Sequence, residues 1–212
     1  MLEINEEIPF LWRLNSDNDE GFSLVSMVIP FKTGTENIEH TIPTDVISFN
    51  SEHGHVDEEE TLEWNEDDIS LFLKLLSTRE VIKTVGNTHT FKVDLSDPET
   101  IEIVHIVAAA GFGMALAVDD LLVSNPAYAI NAVIQHEIGS RVTLQTVDGY
   151  KRGVVVGNDD EEVVCVLLDP IKLDHYSEMS DIHPHDLVVV KTHQLLPAEY
   201  SSQEPSPTDV LH

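Results

Sequence analysis

The last third of the chain changes from a helical period to short apolar runs separated by turn residues, which constrains the fold more than any other feature. Arg141 to Val147 alternates apolar and polar residues as a half-buried strand does, and Asp148-Gly149 after it is a strong signal for a hairpin turn. Short strands joined by tight turns are typical of a small antiparallel β structure. Five strands are predicted: Arg141 to Val147, Tyr150 to Gly157, Glu162 to Leu168, Leu187 to Lys191 and Gln194 to Leu196.

The first part of the chain mixes helical and strand periods. A helix is predicted after the N-cap residue Asn65, a second from Pro98, and a third from Asn125-Pro126. The run from Ile103 to Val118, rich in Ala and Gly, is typical of a buried helix, which either continues through or breaks at Gly111 and Gly113. The remaining predictions are strands at Pro9 to Leu14, Phe22 to Ile29 and Asp45 to Phe49, and a hairpin from Val81 to Val93 around Gly86-Asn87.

Hairpin and bend signals of a small barrel recur in the last third of the chain, at Ile138 to Leu144, Asp148-Gly149, Gly153 to Val156 and Leu168-Asp169. Through these residues, the segment from Asn125 to Pro197 resembles the Sm-like family, in which a short helix leads into a bent five-stranded barrel. Tudor, KOW and other SH3-like barrels use similar hairpins. The family's pairing of edge strands between subunits would imply self-association here.

With this resemblance, the predicted fold class is α+β. An N-terminal mixed region with hairpins and two or three helices would precede a C-terminal five-stranded SH3/Sm-like barrel. Residues 1–124 would form the α+β domain, and residues 125–197 the helix plus barrel. Residues 198–212, rich in Ser, Pro and Glu, would be a disordered tail.

The charge restricts the partners of the chain. Asp and Glu number 39 against 11 Lys and Arg, for a formal net charge of −28. Such a surface repels phosphate backbones at long range and attracts basic proteins. The loop from Asn158 to Glu162, where Sm-like proteins hold RNA through an Asn, is acidic here, and Lys191-Thr192-His193 replaces their Arg-Gly pair. Direct nucleic-acid binding is therefore not expected.

We expect a non-enzymatic interaction or assembly protein that binds a basic partner or itself. The composition would suit a phage or viral protein. The first alternative is an acidic nucleic-acid mimic that inhibits a basic host protein. The predicted interaction residues are acidic, apart from one tryptophan that could instead pack on the following helix: Trp64, Asp57, Glu58, Glu59, Glu60, Asp159, Asp160 and Glu161.

Two further alternatives use other residues. An Sm-like RNA-binding protein would act through a local basic patch of Arg141, Lys151, Arg152 and Lys191. A metal site would use His183 and His185, because alternating residues of an extended segment point the same way.

No catalytic residue and no cofactor is predicted. The chain has no Gly-rich phosphate loop, no nucleophile elbow, and no second His to complete a zinc-protease helix at His136-Glu137. The single cysteine, Cys165, excludes an intrachain disulfide. No signal peptide is evident at Met1 to Glu7, and no apolar run reaches the ~18–20 residues of a membrane span. The expected location is the cytoplasm, of the host if the protein is viral.

Overall fold

Strands dominate the part of the chain that the computed structural model describes: residues 2–4, 10–17, 22–33, 36–49, 60–78, 91–123, 136–159, 162–173 and 180–198. The chain forms two compact units, Met1–Met114 and Ala115–His212. The domain boundary predicted at residues 124–125 lies outside the described residues and stays a prediction. So do the hairpin around Gly86-Asn87, the helix from Asn125 and nearly all of the predicted tail.

The first unit contains a four-stranded antiparallel sheet and a separate two-stranded ladder. The sheet has the order β4-β3-β2-β5, and β1 pairs with β6 in the ladder. The middle of β3 is buried on both faces, and Val25 to Ile29 accordingly form a nearly continuous apolar run. The strands are β1 (Leu2–Ile4), β2 (Leu11–Asp17), β3 (Phe22–Thr33), β4 (Glu36–Phe49), β5 (Glu60–Glu63) and β6 (Phe91–Val93).

Two α-helices lie among the described residues, both in the first unit: α1 (Glu66–Thr78) and α2 (Pro98–Phe112). Both predicted starts, after Asn65 and at Pro98, are confirmed. The helix α1 is amphipathic, whereas α2 is apolar nearly all round because it packs against α1, β3 and β4. It ends at Phe112, since Gly113 is extended and donates its N–H to the Ala109 carbonyl at 2.8 Å.

The second unit contains a six-stranded sheet of order β12-β8-β9-β10-β11-β7. Neighbouring strands are antiparallel except for β7, which runs parallel to β11. Gly149 closes the predicted hairpin with a φ of 91°, a conformation that favours glycine. The strands are β7 (Ala115–Ala117), β8 (Arg141–Thr146), β9 (Gly149–Asp159), β10 (Glu162–Leu167), β11 (Leu187–Lys191) and β12 (Leu195–Pro197).

The predicted fold class is wrong. The described residues are mostly strands with two helices, and an α+β protein ending in a five-stranded barrel is not observed. The five C-terminal strands were placed correctly, but a sixth strand pairs with them. That strand comes from the run Ile103 to Val118, which was predicted to be helical and either to continue through or to break at Gly111 and Gly113; the helix ends at Phe112. Because β7 pairs with β11, the outer side of the fourth predicted strand is not open.

The core of the second unit lies between the sheet and the segments that follow β10. Leu144, Val155 and Ile171 are fully buried in it. Cys165 is part of the same cluster, and burial raises the pKa of its thiol to about 12, so it is not a nucleophile at neutral pH. A Cβ added at Gly153 would lie 3.1 Å from Leu144 Cδ1, which explains a glycine in this strand.

His136 is a buried imidazole that precedes β8 in the second unit, with 5% of its surface exposed. Its backbone carbonyl accepts a hydrogen bond from Asn158 Nδ2 at 3.1 Å. Its Nε2 atom is buried and has no partner among the described residues. Burial lowers the pKa of His136, so the ring is neutral in the native protein at neutral pH.

We therefore expect the second unit to lose stability in mild acid. The unfolded chain binds a proton at His136 as the pH falls through the ordinary value of 6.5, whereas the native state binds it only at lower pH. Below pH 6.5, wild type should lose at most about 1.4 kcal/mol per pH unit relative to His136→Gln. Urea unfolding from pH 8 to pH 5, followed by pulsed labelling of Cys165, measures this difference.

The matched control is His193→Gln, which changes an exposed imidazole in the same unit. It should keep the wild-type dependence of unfolding free energy on pH. If His136→Gln keeps it too, the burial of a neutral His136 is contradicted.

Candidate interaction surface

An acidic strip runs along the edge of the sheet in the first unit and onto the following helix. It consists of Glu60 and Glu63 on β5 and of Glu66 and Asp67 in the first turn of α1, and all four are exposed. The strand β5 is an edge strand, paired only with β2. None of the four carboxylates has a cationic partner among the described residues. The strip therefore presents unneutralised negative charge.

Trp64 lies between the two parts of this strip in the sequence and anchors the chain there in the core. It follows β5 directly and is only 7% exposed, so it packs in the core and does not face a partner. Its ring stacks on Trp12 with centroids 4.7 Å apart and meets Phe72 of α1 edge-on at 5.3 Å. Its backbone N–H donates to the Phe10 carbonyl at 3.0 Å. Of the two predictions for Trp64, packing on the following helix is the arrangement observed.

Asp68 joins the helix α1 to the sheet. Its backbone N–H donates to Asn65 Oδ1 at 2.9 Å, and its Oδ2 accepts the N–H of Asn65 at 3.1 Å. This reciprocal pair is a capping box built from Asn and Asp. The same Oδ2 accepts the indole N–H of Trp12 on β2 at 3.1 Å. One carboxylate thus caps α1 and binds it to the sheet.

Two effects oppose each other at Asp68. Burial raises the pKa of its carboxyl, while the N–H groups of Asn65 and Trp12 act in the opposite direction. Asp68 was not among the predicted site residues, although an Asn three residues before an Asp at a helix start is a recognisable capping signal. Its bond to Trp12, 56 residues away, has no signal in the sequence.

Five of the seven predicted acidic interaction residues lie outside the described residues: Asp57, Glu58, Glu59, Asp160 and Glu161. Of the others, Glu60 belongs to the acidic strip. Asp159 is exposed at the end of β9, opposite Glu162 of β10. Asp57 to Glu60 belong to the first unit, whereas Asp159 to Glu161 belong to the second.

Two of the four cations of the predicted basic patch are paired with carboxylates within the second unit. Lys151 Nζ lies 2.7 Å from Asp148 Oδ2. Arg152 binds Asp169 through its guanidinium and its backbone N–H, and this contact lowers the pKa of the Asp169 carboxyl.

The other two cations of the patch lie elsewhere in the sheet. Arg141 begins β8, whereas Lys191 ends β11 and has Glu162 as its cross-strand neighbour. A side chain opposite a carboxylate attracts phosphate poorly. The RNA-binding alternative stays a prediction without support from these contacts.

His183 and His185 lie in a turn and not in the extended segment on which the metal prediction relied. The backbone N–H of His183 donates to Asp186 Oδ2 at 2.7 Å, and that of His185 donates to the Leu167 carbonyl at 2.8 Å. His185 has a φ of 69°, in the left-handed region. Strand alternation therefore does not align the two imidazoles, and the metal site stays a prediction.

Comparison with known proteins yields no match: no family model fits the chain, and no curated protein or solved structure resembles it significantly. Neither described helix has the length and apolar character needed to cross a membrane.

The contacts of Asp68 lead to a stability prediction. Asp68→Ala should lower the free energy of unfolding by about 1–3 kcal/mol, because it leaves the buried N–H of Trp12 without an acceptor. Asp68→Asn retains an oxygen acceptor and should cost less than half as much. Urea titration followed by tryptophan fluorescence measures the first unit specifically, since both tryptophans, Trp12 and Trp64, lie in it. Equal losses in the two variants would contradict the acceptor role.

Proposed function

We propose that the protein is a non-enzymatic interaction or assembly protein that binds a basic protein partner through its acidic surface. The observation that supports this most directly is the acidic strip, whose exposed carboxylates form no ion pair with a described cation, since the neighbouring Arg13 is paired with Glu39. The aromatic cluster and the capping box beneath it hold the strip in one geometry. A preorganised surface loses less conformational entropy on binding than a mobile one.

The distribution of positive charge supports the same proposal. Arg13 is engaged by Glu39 at 2.6 Å, Lys151 by Asp148 and Arg152 by Asp169. The opposite charges of such ion pairs cancel locally. The excess carboxylates therefore dominate the electrostatic field of a chain with a net charge of −28. Such a field accelerates the encounter with a cationic protein and opposes the approach of a nucleic acid. The cytoplasm is the proposed location.

The direct test is to find the partner and measure how its binding depends on salt. The tagged protein is used to capture proteins from the source cell at 50 and 300 mM salt, and its solution mass is measured alone and with the captured protein. We expect a basic partner in defined stoichiometry whose binding weakens steeply at higher salt, because the Debye length shortens to less than about 10 Å. A monomer without a partner at low salt would contradict the proposal.

The nucleic-acid mimic is distinguished in the same experiment. If the captured partner binds DNA or RNA, duplex DNA and single-stranded RNA are added as competitors. A mimic occupies the nucleic-acid cleft, so competition would be complete and mutual. A basic partner that binds the protein and the nucleic acid together would assign the acidic surface to assembly.

We predict that the strip carries a larger share of the binding energy than other exposed acids. Glu60→Gln combined with Glu63→Gln should weaken the captured partner about tenfold at 50 mM salt, mainly through slower association. Glu99→Gln combined with Glu162→Gln removes the same charge from exposed positions elsewhere and should change the affinity by less than about twofold. Association and dissociation rates from surface plasmon resonance decide this, and equal effects of the two pairs would contradict a role for the strip.

A further inference from the structure

The edge strands of the two larger sheets differ in how they are protected from pairing with another chain. Among the described residues, three of the four edges carry a charge or a proline, which are the usual devices against edge pairing. Pro43 lies within β4, Glu60 and Glu63 are the first and last residues of β5, and Pro197 is the last residue of β12. The fourth edge, β7, is Ala-Leu-Ala and has neither.

The outer side of β7 is open in the part of the chain that the structure describes. The strand pairs on one side only, with Ala115 opposite Leu187 and Ala117 opposite Val189. All three of its residues are exposed, and Leu116 is one of the few large apolar side chains at the surface, with 36% of its area exposed. An exposed edge of this kind offers backbone N–H and C=O groups to an incoming strand.

Carboxylates lie at both ends of this edge. Asp119 and Asp120 follow β7 after the buried Val118 and are exposed. Asp119 Oδ1 accepts a hydrogen bond from Gln194 Nε2 at 3.4 Å. Asp186 precedes Leu187, which the parallel register places opposite Ala115, and its side chain is 41% exposed. Asp186 lies one strand inward from the edge, and its Oδ2 also accepts the backbone N–H of His183 at 2.7 Å. The edge therefore has an apolar centre, with exposed carboxylates beyond one end and a carboxylate on the neighbouring strand beside the other.

We propose that the outer edge of β7 binds an extended segment of the basic partner as a seventh strand of this sheet. That segment has β-branched or other apolar residues at its centre, opposite Leu116, and Lys or Arg at both ends, opposite the carboxylates. The proposal rests on the proposed function, since it takes the partner to be basic. A second copy of the chain fits less well, because each copy brings a net charge of −28 to the contact.

The test uses a defined probe in place of the natural partner. The probe is a synthetic peptide with Thr-Val-Thr-Val-Thr between two lysines at each end, and its control has glutamates in place of the lysines. Binding to the full chain is followed by the backbone amide shifts and hydrogen exchange of the protein at 50 mM salt. We expect the lysine peptide to shift and protect the amides of Ala115–Ala117 and the glutamate peptide to leave them unchanged.

Leu116→Lys should weaken the lysine peptide about tenfold, because it places a like charge at the centre of the edge. The matched control is Leu62→Lys, which makes the same change at an edge-strand leucine of equal exposure, 36%, on β5. The control should keep the affinity for the lysine peptide within about twofold of wild type.

Four results would overturn the β7 site. The lysine peptide could leave the β7 amides unchanged, or Leu116→Lys could bind it as tightly as wild type. If Leu62→Lys alone weakens it, the peptide binds the acidic strip, and the proposed function stands without the β7 site. The fourth result is a dimer of the protein alone that Leu116→Lys abolishes, which would assign the edge to a second copy. Failure of the proposed function itself is seen separately, as the absence of any captured basic partner.

Discussion

The structure of the first unit depends on one carboxylate, that of Asp68. Its Oδ2 accepts the backbone N–H of Asn65, which caps α1, and the indole N–H of Trp12, which belongs to the sheet. Removing this acceptor would leave two donors unpaired in or near the core, and a buried unpaired N–H costs more free energy than a hydrogen bond contributes. The aromatic rings around it then fix Trp64, and Trp64 fixes the edge strand and the helix start that carry the acidic strip.

The features that the sequence predicted correctly depend on neighbouring residues. The cap at Asn65, the proline at the start of α2 and the turn at Asp148-Gly149 act within one turn of the chain, so their signals are local. The strands of the second unit follow from short apolar runs bounded by turn residues. The fold class was wrong because strands dominate both units. One of the missed strands, Ala115–Ala117, has a helix-forming composition and is a strand only through its pairing with β11, a contact between distant residues.

The candidate site was predictable only in part, because some of its features are local and others depend on contacts between distant residues. Composition alone directs attention to exposed acids, and Glu60 is one of them. The residues around Trp64 are compatible with an exposed anchor and with a core residue, so the local sequence does not decide between the two. The stacking of Trp64 on Trp12 does. The basic residues were grouped by charge, yet Arg152 is bound by Asp169 and Lys151 by Asp148. Pairing of this kind is set by the register of the strands and cannot be read from composition.

The coupling between Trp12 and Asp68 is the most direct measure of the interaction on which the acidic strip depends. A double-mutant cycle of Trp12→Phe, Asp68→Ala and the combined variant measures it by urea unfolding, with Trp64 as the common fluorescent reporter. Asp68→Ala leaves the indole N–H of Trp12 without its acceptor, whereas in the combined variant that donor is also gone. The lost contact with the Asn65 N–H is common to Asp68→Ala and the combined variant, so it cancels in the cycle. The combined variant should therefore lose at least about 1 kcal/mol less than the sum of the single losses. Additive losses would contradict the bond between the indole and the carboxylate, and with it the proposed support of the strip.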